Sequence, residues 1–263
     1  MRSQFDALAR LYEDMAELPW RRDLESYSVR ELLGDLTGRS VLDIGCGTGQ
    51  YCRMLRRAGA GRVVGYDISA GMIAHAADRE SWEPLGIRYT TEPPADGTFD
   101  IALGVYVLPY ATAYDELVEL CAVAARALVP GGLFVALPVN PDYDGRPAYY
   151  ERYGIRLHED EPRADASRIT LELCFDAYEV SVEARHWTRH ALQQALLDAG
   201  FTGIDWHPFR VSPAALRSYG TDFWSPYLRC PHAALISCRT PRPHAPSRTP
   251  RAPSPPPHPS TER

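Results

Sequence analysis

Three glycines spaced two residues apart, Gly45, Gly47 and Gly49, follow an apolar run in the segment VLDIGCGTGQ, residues 41–50. Glycine is wanted at such a place because the backbone must turn sharply and let a ligand approach with no Cβ in the way. Dinucleotide sites use GxGxxG here, but counting from Gly45 puts Gln50 where the third glycine would stand. The pattern is D-x-G-x-G-x-G, with Asp43 two residues ahead of Gly45, so a pyrophosphate is not the natural ligand. A second acid, Asp67 in VVGYDIS, closes the next apolar run. In doubly wound nucleotide folds an acid at that strand end accepts hydrogen bonds from the ribose hydroxyls. Together these residues suit an adenosine ligand without phosphates.

Other groups could move protons or shape a pocket. A base helps when a methyl, acyl or similar group is passed to a hydroxyl or an acidic N–H, and histidine is the usual one. His186 and His190 flank the start of a helical stretch, while His158 and His207 fall in expected loops. A single histidine is more often structural than catalytic; His186 is the preferred catalytic candidate because its neighbourhood borders the expected active-site face. Aromatic residues cluster at Tyr106, Tyr110, Tyr143, Tyr149, Tyr150, Tyr153, Trp187, Tyr219, Phe223, Trp224 and Tyr227. Ordinary packing accounts for many of these, and a flat apolar pocket for a ring-containing acceptor would use the rest. Tyr106 and Tyr110 stand out, at the end of the fourth expected strand. The six cysteines show no CxxC pair and no zinc spacing, so no metal site is expected.

Strand and helix signals alternate along the chain that must position these groups. Helical periodicity covers 5–16 and 24–36. Strands are expected at 40–44, 62–66, 87–90, 99–107 and 133–137. Helices are expected at 50–58, at 69–79 capped by Ser69, and at 114–128, the last stopped by Pro130-Gly131-Gly132. Residues 140–168 read as irregular, followed by an antiparallel pair, 169–175 and 179–187, turning near Asp176. Thr188 caps what reads as the last helix, ending at Gly200, and strands 202–206 and 233–238 close the domain. Such alternation implies an α/β fold: a doubly wound, seven-stranded, mostly parallel sheet, with antiparallel carboxy-terminal strands and a ligand crevice at the strands' carboxyl ends.

All 28 basic residues are arginine, and residues 1–238 hold 23 of them against 33 acids. A body that negative repels phosphate backbones, which argues against a nucleic-acid substrate. No apolar run is long enough to span a membrane and the amino terminus lacks a signal-peptide core, so a cytoplasmic protein is expected. Residues 239–263 contain nine prolines and no large apolar side chain. They read as a disordered tail beyond a domain at 1–238.

The same motifs resemble those of the class I S-adenosylmethionine (SAM)-dependent methyltransferases over roughly residues 5–238. VLDIGCGTGQ resembles the family's first motif, GYDIS-x-x-M its second, FDIALGVYVLPY its fourth strand and LVPGGLFV its turn into strand five. The resemblance implies SAM as cofactor and a doubly wound Rossmann-like sheet with an amino-terminal helical lid. Gly45, Cys46, Gly47 and Gly49 would line the methionine and ribose portion, with Asp43 supporting the loop. Asp67 would hold the ribose, and Ile68 and Met72 would pack on the adenine. Tyr12 would close over the cofactor, and Tyr106 would face both cofactor and acceptor. A narrower resemblance, to toxoflavin-synthase-like small-molecule methyltransferases of bacterial secondary metabolism, rests on ELPWRR, LPVNPDY, YYERYG, HWTRHALQQALLDAGF and FWSPYL. It implies a small, aromatic or heterocyclic methyl acceptor, N- or O-methylated, as in antibiotic biosynthesis. Two alternatives stay open for this chain: a SAM-binding enzyme of other chemistry, such as the decarboxylation or cyclisation of scattered relatives, and a degenerate SAM-binding regulatory subunit, against which the intact glycines and Asp67 count. One departure concerns adenine: the usual D-A pair after strand three is replaced by Thr90-Thr91-Glu92, so either Glu92 substitutes or backbone and apolar contacts serve.

Overall fold

The expected strands assemble into two sheets, one of seven strands and one of three, in the computed structural model, which describes residues 8–159 and 162–242. Strands β1 (Ser40–Ile44), β2 (Arg62–Tyr66), β3 (Arg88–Thr90), β4 (Phe99–Val105) and β5 (Leu128–Leu137) are all parallel. Three further strands, β6 (Ile155–Glu159), β7 (Arg168–Phe175) and β8 (Tyr178–Arg185), form a separate antiparallel sheet. The chain then returns through β9 (Thr202–His207) and β10 (Leu235–Arg239). The main sheet runs β3-β2-β1-β4-β5-β10-β9. Since β10 is antiparallel to both neighbours, it alone opposes the other six strands.

Successive side chains on a strand point to opposite faces, and here both faces are covered. Val41, Leu103 and Val135 enter one core, while Leu42, Ala102 and Phe134 enter the other. The second core is closed by α5 (Tyr114–Ala127) and α6 (Arg189–Asp198). The first is closed by the amino-terminal helices, by α3 (Gln50–Arg57) and by the small sheet. The amino-terminal helices are α1 (Ala9–Ala16) and a π-helical segment Trp20–Ser26 that runs straight into α2 (Tyr27–Leu33). On the first face too lies α4 (Ala70–Trp82), capped by the Ser69 hydroxyl, which accepts from the Met72 N–H at 3.2 Å. Among the described residues no helix is long and apolar enough to cross a membrane.

Four sequence expectations change. Strand β5 begins at Leu128 rather than Leu133, because Gly131 takes a positive φ of 79° and absorbs a register shift instead of ending the strand. Residues 140–168 are not irregular throughout: they hold a 3-10 stretch, Pro147–Tyr153, and β6, whose Ile155 and Leu157 alternate inward against β7. The helix after Thr188 is not the last, since α7 (Pro213–Tyr219) and α8 (Thr221–Arg229) follow, the latter with Pro226 inside it. Finally, the tail does not start at Arg239. Arg239 pairs with Leu133 and Thr202, and Thr240 donates to the Gly132 and Val129 carbonyls. Residues 243–263 of that segment, and residues 5–7 of the expected first helix, lie outside the described residues.

Candidate active site

The carboxyl ends of β1, β2 and β4 open onto a cavity of about 480 Å³. Its floor is the glycine turn. Gly45 and Cys46 both donate to the Tyr66 carbonyl, at 2.8 and 3.1 Å, so the turn is stitched to the end of β2. Gly45 and Gly47 take φ values of +66° and +53°, in the left-handed region that favours glycine. A Cβ on Gly47 would meet nothing within 4 Å and would project into open space beside the cavity. Gly49, also left-handed, has a different duty. It does not line the cavity; a Cβ there would overlap the Tyr89 phenol, so glycine is required for packing and to start α3.

Asp67 lines the cavity wall, and its carboxylate is oriented by backbone donors: Gly47 to Oδ2 and Ser69 to Oδ1, each at 2.8 Å. Asp43 lies beneath the turn, buried, with the Cys52 thiol 3.2 Å from Oδ2. Burial pushes its carboxyl up to about 7. Beyond Asp67, Ile68 leaves 76% of its surface exposed although it is large and apolar, and buried Met72 lies one helical turn on; both line the cavity. Tyr12, Cys46, Tyr106 and Tyr110 line it as well, and the Tyr12 and Tyr110 hydroxyls are hydrogen-bonded to each other. Arg53 ties the amino-terminal lid to this floor, donating to the Thr48 carbonyl at 2.6 Å and to Glu13 of α1 at 2.7 Å. The opposite wall is apolar and comes from the small sheet: Ile155, Leu171, Leu173, Val182 and Ala184.

At the inner end stands a polar cluster that sequence reasoning missed. Glu25 and Arg21, both buried on the π-helical segment, pair at 2.8 Å. The Tyr106 and Tyr227 hydroxyls both contact Glu25 Oε1, and the same hydroxyls contact the two ring nitrogens of buried His232, at 2.8 and 2.9 Å. Tyr106 is held at a positive φ of 56° at the end of β4, a conformation costly for an aromatic residue and frequent at functional sites. His232 precedes β10. Because β10 runs antiparallel, its entry loop arrives at the end of the sheet where the parallel strands finish; that topology was the available signal for this histidine.

His186 does not fill the catalytic role expected of it. Its ring is buried between the Ala164 and Pro141 carbonyls, at 3.2 and 3.0 Å, ties two loops together and does not line the cavity. Glu92 is exposed and also off the cavity wall, so it does not reach the cavity as the substitute acid the sequence offered. Of the aromatic set, only Tyr106 and Tyr110 reach the cavity. Tyr150, Tyr153, Phe223, Trp224 and Tyr227 pack edge to face behind it, and Trp187 packs against Tyr114 on the other side of the sheet.

A family model described as a methyltransferase domain matches residues 41–132, from β1 through the start of β5. Residues 41–132 are thus similar to a methyltransferase domain. The cofactor implied for such a domain is SAM, and the residues present fit it: a glycine floor with room where a Cβ would project, an oriented acid on the wall, and an exposed apolar side chain beside it. The chain is 37% identical over 115 residues to a ubiquinone biosynthesis O-methyltransferase of Bradyrhizobium sp., covering 42% of this chain and 44% of that one. It is 34% identical over 127 residues to a tRNA U34 carboxymethyltransferase of Alcanivorax borkumensis, covering 45% and 38%. This chain therefore spans less than half the length of these curated relatives. A SAM-dependent methyltransferase from Mesorhizobium loti shares the fold, with a TM-score of 0.58 and 24% identity over 86% of this chain and 99% of that one. The small sheet and the segments carrying Glu25 and His232 lie outside the matched residues.

Proposed function

We propose that this chain binds SAM and transfers its methyl group to a small molecule with a ring-containing, largely apolar body. The observation that carries this reading is the continuity of the cavity, from the glycine turn and Asp67 to the apolar face of the small sheet. Bound there, SAM supplies a methyl carbon already activated by its sulfonium, so the protein's work is positioning and exclusion of water. Asp67 would hold the ribose hydroxyls, and Gly45, Cys46 and Gly47 the methionine portion. Ile68 and Met72 would flank the adenine. Tyr12 and Tyr110 would cover the cofactor, and Asp43 would support the turn from below. The acceptor would lie between Tyr106 and the small sheet, whose branched side chains suit a flat ring. The excess of acids over bases, which repels phosphate backbones, favours a small acceptor over RNA. The motifs shared with the toxoflavin-synthase-like branch support N- or O-methylation in bacterial secondary metabolism, in the cytoplasm.

The test is direct. The full chain is incubated with SAM, a panel of phenols and N–H heterocycles, and unmodified tRNA, and products are weighed for the gain of one methylene mass. Methylation of ring compounds is expected; methylated tRNA beside untouched small molecules would overturn the reading.

A further inference from the structure

The cluster at the inner end of the cavity has a hydrogen count that does not close. Glu25 Oε1, Tyr106, His232 and Tyr227 form a ring of four short contacts, each carboxyl, hydroxyl or imidazole atom facing the next. Two phenols and a neutral imidazole carry three hydrogens between them, and each contact needs one. With Glu25 ionised, both phenols can donate to Oε1 and the imidazole N–H to one phenol. The remaining imidazole nitrogen then faces a phenol oxygen with no hydrogen between. A fourth proton on Glu25 closes the ring: Glu25 donates to one phenol, that phenol to an imidazole nitrogen, the other N–H to the second phenol, and that phenol back to Glu25. Either sense of rotation serves. The ring therefore has a place for one more proton, and two of its members, Tyr106 and His232, line the cavity.

We propose that this ring takes the proton lost by the methyl acceptor, entering at the Tyr106 hydroxyl and stored with Glu25, so that the substrate class is one whose nucleophilic oxygen or nitrogen carries a hydrogen. The inference rests on the reading of the chain as a methyltransferase. In the step, the acceptor atom bonds to the methyl carbon and the carbon–sulfur bond breaks with its electron pair left on sulfur. The acceptor's proton passes to the ring. An acceptor that is already anionic, or an amine without a hydrogen, would leave the ring without a task.

The surroundings fit a reversible store. Arg21 pairs with Glu25 Oε2 and lies over the Tyr106 ring, 4.8 Å from its centroid, so an added positive charge is opposed and the proton is released again once product leaves. Burial, partly countered by Arg21, raises the Glu25 carboxyl above its ordinary range, while burial reinforced by Arg21 holds the His232 imidazole down to about 3; of the two, Glu25 is the place where the proton rests. The other groups facing the ring are phenols and an indole: Tyr51 beside Arg21, Tyr150 with its centroid 5.8 Å from that of His232, and Trp20 at 5.0 Å.

The experiment reads the ring itself. The full chain with ¹⁵N-labelled histidine and bound S-adenosylhomocysteine is followed by NMR from pH 5 to 9, the His232 signals being assigned by their loss in His232→Gln. The two imidazole nitrogens should respond together in one step as the ring gains its fourth proton, and Tyr106→Phe, which removes one link, should abolish that step. Calorimetry should show SAM affinity within about twofold of wild type in Tyr106→Phe, with a small-molecule acceptor turned over roughly 10²-fold more slowly. A His232 signal with no step between pH 5 and 9 overturns the proposal, as does a Tyr106→Phe enzyme with unchanged turnover. If the wild-type chain binds no SAM, it is the methyltransferase reading that fails, whatever the ring does.

Discussion

At the residue scale, two glycines of one turn are required for different reasons, and substitution separates them. Gly47→Ala places a Cβ in open space at a left-handed φ, a strain of about 1–2 kcal/mol, so the protein should stay folded. SAM binding should nonetheless fall sharply, because the new methyl group enters the floor of the site. Gly49→Ala adds a collision with Tyr89 to similar strain and should lower the melting temperature clearly more than Gly47→Ala does. Melts and calorimetry on both variants check this; equal melts with equal SAM affinity would remove the distinction. Asp43 makes a second prediction. Its carboxyl is raised by burial, so the folded state holds a proton that the unfolded chain gives up near its ordinary, lower pKa. The stabilisation is therefore full below about pH 4 and is lost as pH rises towards 7. Urea unfolding of wild type and Asp43→Asn at pH 5 and pH 8 should show that the variant lacks this share of the decline.

At the scale of elements, β10 runs one residue past its expected end, to Arg239, and truncation measures what Arg239 and Thr240 add. Ending the chain after Cys238 removes the pairing of Arg239 and the bonds from Thr240 to the Val129 and Gly132 carbonyls. At about 1 kcal/mol for each net hydrogen bond, a loss of 2–3 kcal/mol is expected. Ending it after Arg242 keeps those bonds and should leave the melt unchanged. The same element explains which parts of the site were legible. The glycine turn, Asp67, and the strands and helices from β1 to α5 are written locally, in motifs that occupy consecutive residues. The ring of Glu25, Tyr106, Tyr227 and His232 draws on three stretches of chain, with bonded residues as far as 202 apart, and no local pattern marks residues that meet only through topology. His186, with helix-start signals beside it, drew attention that belonged to His232. Strand β6 and helices α7 and α8 were obscured by prolines and by short runs: Pro147 and Pro213 open elements rather than break them, and Pro226 is tolerated within α8.

For the whole molecule, the cavity lies between the sheet and a cover made of the amino-terminal helices and the small sheet, so ligand binding should tighten the assembly as a unit. SAM at 100 times its dissociation constant should stabilise the fold by about 2.7 kcal/mol, a rise of roughly 5–10 °C in melting temperature. Asp67→Ala, which on the proposed reading removes charge-assisted bonds to ribose of about 1.5–3 kcal/mol, should show a much smaller rise at the same SAM concentration. An identical rise in both proteins would show that the ribose is held elsewhere. The strand order has a consequence for how the molecule is made. β9 has β10 as its neighbour in the sheet, and β10 separates it from β5. On the ribosome, β1 to β5 can pair as they emerge, but β9 has no place to dock until residues 235–239 have cleared the exit tunnel. The strand that brings His232 to the cavity is thus also the one that locks the sheet, so that wall of the cavity cannot close until residues 235–239 have left the tunnel.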